Sequence, residues 1–284
     1  MEYQGICHKM RARVGDTSET LDGRLAVDVD YSLVVEPFEC NLTPHLQKTM
    51  RLAWTGKIFC LSCGAKTPKS YSQGHCFKCF KTKASCDMCI MKPETCHHHL
   101  GTCREESFAQ EVCFNPHVVY LANSSALKVG ITRHGQMPTR WLDQGATQAL
   151  PIIQTATRFL SGVVEQMIAQ RIADKTDWRA MLKGEAVPID LPSLRDELLL
   201  HYADDLKHLQ HAYPDQIGVL EGQHVREFAY PVIEYPKKVS AHNFDKTPVI
   251  EGTLLGIKGQ YLMLDTGVLN LRKFGGYELS VTVG

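Results

Sequence analysis

Six cysteines arranged as three Cys-x2-Cys pairs, Cys60/Cys63, Cys76/Cys79 and Cys86/Cys89, constrain this chain more than any other feature. A Cys-x2-Cys pair on a tight turn aims two thiolates at one point, and two such knuckles supply the four corners of a tetrahedral Zn²⁺ site. Cys60, Cys63, Cys76 and Cys79, spaced Cys-x2-Cys-x12-Cys-x2-Cys, read as a zinc ribbon. Cys96-His97-His98-His99 and Cys103 follow, so eight of the eleven cysteines lie between positions 60 and 103. Cys86, Cys89, Cys96 and Cys103 form a second candidate set, with His97, His99, Cys113 and His117 as alternative ligands. One or two structural Zn²⁺ ions are therefore expected. An iron–sulfur cluster also uses four cysteines and stays open for the second set. A redox Cys-x2-Cys would want a βαβ context that this segment lacks. The isolated Cys7 and Cys40 read as small buried residues.

Zinc is favoured over a disulfide framework by the compartment. The start Met1-Glu2-Tyr3-Gln4-Gly5 lacks the charged-then-apolar pattern of a secretory signal, so a cytoplasmic location is expected. No run approaches the roughly 18 apolar residues of a membrane helix, and no membrane partner is expected. At 284 residues, with 44% hydrophobic and 22% charged, the chain suits about two ordinary globular domains.

Net charge is zero, so no global basic field draws in a polyanion. Its distribution is uneven. From Gln47 to Cys86 there is no Asp or Glu, while Lys48, Arg51, Lys57, Lys66, Lys69, Lys78, Lys81 and Lys83 are all cationic. This strip reads either as a phosphate-binding face or as a solvated surface that offsets the thiolates. Between Asp190 and Glu227 acidic residues outnumber basic ones.

The pattern divides the chain into a strand-rich segment 1–58, a cysteine-rich zinc module 59–115, an α/β segment 116–215 and a second strand-rich segment 216–284. His117–Ala122 and Leu127–Ile131 read as strands joined by a turn at Asn123–Ser125, and Pro138 opens a helix through Trp141 and Leu142. Ile152–Ala156 reads as a third strand. Ser161 is a candidate N-cap for a helix from Val163 to about Ala173, with Val164, Ile168 and Ile172 on one face. Leu194–Tyr213 reads as one longer amphipathic helix. Strands return at Tyr230–Tyr235 and through Thr253–Val268, punctuated by glycines at 252, 256, 259 and 267. The class is thus α+β, a small antiparallel sheet with flanking helices beside the zinc module. The strand-rich ends are expected to pair with each other as a small barrel.

Tyr120, Lys128-Val129-Gly130-Ile131-Thr132, Arg140 and Glu165 follow the order strand with Tyr, strand with a Gly, helix with Arg, helix with Glu. Over about residues 116–180 this resembles the GIY-YIG nuclease superfamily. A wider run, Gly101-Thr-Cys-Arg104, Val118-Val-Tyr120, Lys128–Arg133 and Thr139–Ala146, resembles the bacterial domain-of-unknown-function family 2797. The nuclease resemblance implies that Tyr120 stands at the first motif's tyrosine and Lys128 at the second's, that Arg140 binds the scissile phosphate, and that Glu165 holds Mg²⁺ or Mn²⁺. The chemistry suits the residue types: a carboxylate is a hard oxygen ligand and guanidinium a planar fork for phosphate oxygens. Taken without the resemblance, Tyr120 reads as core, Arg140 and Glu165 as solvated helix residues, and Lys128 as exposed. Together these features point to a zinc-containing nucleic-acid-binding protein whose enzyme form is a divalent-metal-dependent endonuclease. The alternative is a zinc-stabilised protein-interaction scaffold.

Overall fold

The computed structural model describes residues 2–19, 25–172 and 177–284. Fourteen strands form one mixed sheet: β1 Glu2–Cys7, β2 Arg11–Glu19, β3 Leu25–Glu36, β4 Phe38–Asn41, β5 Thr49–Ile58, β6 His117–Asn123, β7 Leu127–Arg133, β8 Gln148–Thr155, β9 Ile217–Val219, β10 Arg226–Ala229, β11 Val249–Lys258, β12 Tyr261–Leu264, β13 Gly267–Asn270 and β14 Tyr277–Val283. The helices are α1 Phe77–Thr82, α2 Glu106–Phe108, α3 Thr139–Asp143, α4 Arg158–Ile168, α5 Trp178–Leu182, α6 Leu191–His201 and α7 Ala203–Ala212. Among the described residues, no helix is long and apolar enough to cross a membrane.

The two strand-rich ends do pair, β1 lying antiparallel to β14 from Glu2↔Thr282 to Ile6↔Glu278. They do not close into a barrel. The order β13-β12-β11-β5-β14-β1-β3-β10-β8-β6-β7 is an open path. Closure would require β3 to turn back on the far edge. Instead β10 occupies it, running parallel to β3 (Phe228↔Val27) and antiparallel to β8 (Arg226↔Ala149). The edge that a barrel would have sealed on itself is taken by β10, which joins β3 to β8 of the α/β segment.

Strand β14 shows why these residues form this sheet. Tyr277, Leu279, Val281 and Val283 are buried while the residues between them are less so, the period of a strand with one packed face. Strand β6 is different, being buried throughout. Val119 and Leu121 enter a core shared with α4, α6 and α7, whereas Tyr120 and Ala122 enter the core of the strand-rich ends. A strand covered on both faces reads as a continuous apolar run, as this one does.

Three local expectations are corrected. Helix α4 begins at Arg158, not Val163, because Thr157 rather than Ser161 caps it, Thr157 Oγ1 accepting from Leu160 N at 3.3 Å. Ser161 is buried inside the helix and donates to the Arg158 carbonyl at 2.7 Å. The helix ends at Ile168, and the expected limit at Ala173 lies outside the described residues. Leu194–Tyr213 is two helices, broken at Tyr202, whose φ of −97° and ψ of 19° leave the helical ladder. Tyr202, Leu198 and Leu206 are all buried, so the break keeps both helices against one core. Tyr230–Tyr235 is irregular, with only a bridge from Val232 to Gly256. Pro231 and Pro236 carry no N–H for a ladder, and Tyr230 is drawn aside by its hydroxyl, which donates to the Ala146 carbonyl at 2.7 Å.

Lys258, at the end of β11, is fully buried. Its Nζ has no hydrogen-bond partner among the described residues and lies 5.3 and 5.6 Å from the ring centres of Tyr230 and Tyr235. Burial lowers its pKa from 10.5 to about 8. A lysine that holds its proton less well when folded lowers stability fully below pH 8 and progressively less as pH rises toward 10.5. That lowering corresponds to at most about 3 kcal/mol. Lys258→Met is expected to raise stability at neutral pH by about 2 kcal/mol, the gain shrinking between pH 8 and 10.5. Denaturant unfolding of both proteins across that range checks this, and a variant less stable than the parent would refute it.

Candidate metal centre and polar cluster

The Sγ atoms of Cys60, Cys63, Cys76 and Cys79 all lie within 4.8 Å of one another. A tetrahedral zinc with bonds of about 2.3 Å sets sulfurs about 3.8 Å apart, and Cys63 and Cys76 stand at 3.9 Å. The four cysteines are thus close enough together to coordinate one zinc ion, and all eleven cysteines are free of disulfides. The geometry follows from local sequence. After β5, Cys60 N donates to Ala65 O and Gly64 N to Cys60 O, and Gly64 takes the φ of 71° that closes this knuckle. In the second knuckle Cys76 caps α1, its sulfur accepting from Cys79 N at 3.5 Å. Burial pushes the Cys60 thiol up, but backbone donors from Cys76, Ser62 and Cys63 outweigh it and bring it down to about 6. Cys79 is pushed up to about 12 by burial and by the neighbouring thiols. Four crowded thiols cannot all ionise unaided, and a divalent cation is the natural counter-charge.

Beside this centre runs the acid-free strip. Lys57 pairs with Glu278 at 3.2 Å, Lys83 with Glu105 at 2.6 Å and Arg51 with Glu251 at 3.7 Å. Among the described residues, Lys48, Lys66, Lys69, Lys78 and Lys81 form no ion pair, so the excess positive charge faces solvent.

The second cysteine set is distributed differently from its spacing. Cys89, Cys96, Cys103 and Cys113 line one small cavity of about 20 Å³, together with His97. Cys86 lies on the preceding turn and does not line it. Cys89, Asp87 and His97 offer ligand atoms within 4.8 Å of one another, but Asp87 is already bound to Arg104 at 2.6 Å. His99 is exposed, and His117 is buried with Nδ1 on the Asn115 carbonyl at 2.8 Å.

The α/β segment brings Tyr120, Lys128, Arg140 and Glu165 into one neighbourhood. Tyr120 stands opposite Gly130 in the β6–β7 pairing, and a Cβ at 130 would come 2.7 Å from the Tyr120 hydroxyl. Only glycine lets the phenol lie across the strand. The hydroxyl donates to Gln144 Oε1 at 3.0 Å, and Lys128 Nζ donates to the same oxygen at 2.7 Å. Burial pushes the Tyr120 hydroxyl up to about 12, Arg140 acting to lower it and Glu165 to raise it. Arg140, on α3, and Glu165, on α4, are thus both within electrostatic reach of the phenol, and both are half-buried. Lys128 is 3% exposed, contrary to the expectation of a solvated side chain. The alternation argument placed it on the face away from Leu127 and Val129, and that face is covered by the loop carrying Gln144.

Sequence reasoning missed Gln144, the shared acceptor, and Arg158. The latter lies at the start of α4, with one terminal nitrogen donating to the Ile90 carbonyl at 2.6 Å. Burial makes its guanidinium surrender a proton more readily, while the Cys113 and Glu165 charges oppose and Arg140 reinforces that tendency. It therefore joins the cysteine module to the polar cluster. Where α4 meets that module, a Cβ at Gly162 would lie 2.6 Å from Pro93 Cβ, so the close approach depends on glycine.

The family model described as a protein of unknown function (DUF2797) matches residues 47–279. No curated protein and no solved structure matches the chain.

Proposed function

This chain belongs to the DUF2797 family, and from its geometry we propose a zinc-containing nucleic-acid-binding protein with a GIY-YIG-like phosphate site. The observation that carries this reading is the convergence of Tyr120, Lys128, Arg140 and Glu165 from two strands and two helices on one polar cluster, with Gln144 between the tyrosine and the lysine. A phosphodiester presented there meets the half-buried Arg140 as a planar donor, while the buried Lys128 adds positive charge behind it. The unpaired lysines of the ribbon strip add sequence-independent attraction to the backbone. The cytoplasm is the compartment in which reduced, zinc-bound thiols would persist.

In the enzyme form of this proposal Glu165 ligates Mg²⁺ or Mn²⁺. With one carboxylate as its protein ligand, the ion would be held mainly by water and substrate phosphates. Such an ion would supply charge neutralisation at the phosphoryl group. The chain's own groups do the rest. Arg140 holds the phosphate, and Tyr120, whose proton is tightly kept, passes it only to a strong acceptor. A second zinc, bound in the cavity of Cys89, Cys96, Cys103 and Cys113, belongs to the same proposal.

Salt titration of binding to short DNA and RNA tests the reading. Wild-type protein is expected to lose affinity steeply with salt, with Arg140→Gln binding about tenfold more weakly. Divalent-ion-dependent cleavage abolished by Glu165→Gln, with binding retained, separates nuclease from binder. Absence of binding to either nucleic acid at low salt sinks the proposal. One observation favours a scaffold instead: Met88, Met91 and Leu100 of the cysteine module are 65%, 80% and 66% exposed. On that reading Met88→Gln with Met91→Gln would abolish a protein contact and leave salt-dependent binding absent throughout.

A further inference from the structure

A cavity of about 650 Å³ opens where the ribbon meets the strand-rich sheet. Its walls come from the end of β5, the ribbon loop 68–73 and the segment 270–277. The volume is that of a small-ligand site rather than a packing defect.

Its lining combines aromatic and cationic groups. Trp54 and Tyr277 have ring centres 5.1 Å apart with planes tilted by 48°, and Phe274 lies 5.2 Å from Tyr277 with its plane turned by 83°. The indole is half-buried and its orientation fixed, since Nε1 donates to the Lys57 carbonyl at 2.9 Å. The lining also carries Lys69, Arg272 and Lys273, with Lys273 Nζ 5.6 Å from the Phe274 ring centre. Both lysines are exposed, while Arg272 is held by Nε donating to Gln73 Oε1 at 2.6 Å. The one carboxylate of the lining, Asp245, is engaged, accepting from the Tyr277 hydroxyl at 2.7 Å. A half-buried indole and three cationic side chains are what a stacked base and its phosphate require.

We propose that this cavity takes one unpaired nucleotide of a single-stranded nucleic acid, the base stacked on Trp54 and the phosphate on Lys69, Arg272 and Lys273. The inference rests on the nucleic-acid reading given above and adds the strand state and the side chains that receive it.

The test uses full-length, zinc-loaded protein and short oligo-dT and oligo-U strands, each carrying one fluorescent purine analogue, beside the corresponding duplexes. Single strands are expected to bind at least tenfold more tightly than duplexes, with the analogue quenched on binding. Comparing the two sugars shows whether DNA or RNA is preferred. Trp54→Leu is expected to abolish quenching and weaken binding about tenfold, and Trp54→Tyr to restore much of both. Lys69→Gln with Lys273→Gln, both on the surface and harmless to the fold, is expected to lower the salt slope by about two phosphates' worth. Salt-dependent binding with duplex preferred, or with quenching and slope unchanged in these variants, overturns the cavity assignment and leaves the nucleic-acid reading standing. Failure of the wild type to bind any strand overturns both.

Discussion

Stripping zinc from the ribbon is expected to unfold the middle of the chain, the largest effect foreseen for any single perturbation of this protein. Binding of structural zinc by finger peptides is worth about 10–16 kcal/mol, comparable to the whole stability of a domain at about 5–15 kcal/mol. The ribbon has little else to hold it. Its residues 60–69 are mostly exposed, with Cys60 and Thr67 as buried exceptions. Its attachment to the sheet includes the backbone bonds Phe59 N to Gly276 O and Thr67 N to Ile58 O and the side-chain bonds Ser70 Oγ to the Gly275 carbonyl and Arg272 Nε to Gln73 Oε1. Cys60→Ser removes the most buried ligand, at 2% exposure, and leaves three thiolates around an open position. Elemental analysis should therefore find less zinc per chain in Cys60→Ser than in the parent, and its melting midpoint should fall sharply. A strong chelator should reproduce the fall in the parent and add little in the variant. A cooperative melt indifferent to chelator would refute a structural ion at these four sulfurs.

Trp141→Ala is expected to cost about 3–5 kcal/mol, the range for emptying a buried aromatic site. Trp141 is 1% exposed and lies edge-on to Tyr120 at 5.8 Å, with Phe228 at 6.2 Å on another side. It is therefore where α3, β6 and β10 meet. The indole Nε1 has no hydrogen-bond partner among the described residues, so Trp141→Phe removes a buried unsatisfied donor along with some volume and is expected to cost only about 1–2 kcal/mol. Because Arg140 precedes this anchor in sequence, Trp141→Ala should also weaken nucleic-acid binding by as much as Arg140→Gln does. Denaturant midpoints for the three proteins decide the first claim. A loss below about 1 kcal/mol in Trp141→Ala would show that the cavity collapses and that the anchor role is wrong.

Much of this molecule is legible from spacing and period. The first metal centre can be read from four cysteines because a knuckle is a local device, closed by Gly64 and by the cap of α1 within a few residues. The pairing of the terminal segments was legible as strand content, though not its register or its openness. Closure depended on whether β10, four residues long, would claim the edge of β3, and so short a strand carries almost no periodic signal. The same reason explains Lys128. Its alternation correctly gave the face, but what covers that face is Gln144, sixteen residues on and placed by the turn after α3. Arg158 and Arg272 were invisible for want of any motif, since their importance lies in burial among distant elements. Cys113 differs, since it stands among the alternative ligands read from the sequence and shares the cavity of Cys89, Cys96 and Cys103.

Strand β10 has one more consequence. Four residues stitch the strand-rich ends to the α/β segment, parallel on one side and antiparallel on the other. Calorimetry on the intact chain should therefore record a single coupled transition for both portions. A proline replacing Phe228, whose amide donates to the Thr147 carbonyl at 2.9 Å, would break the suture and divide that endotherm in two.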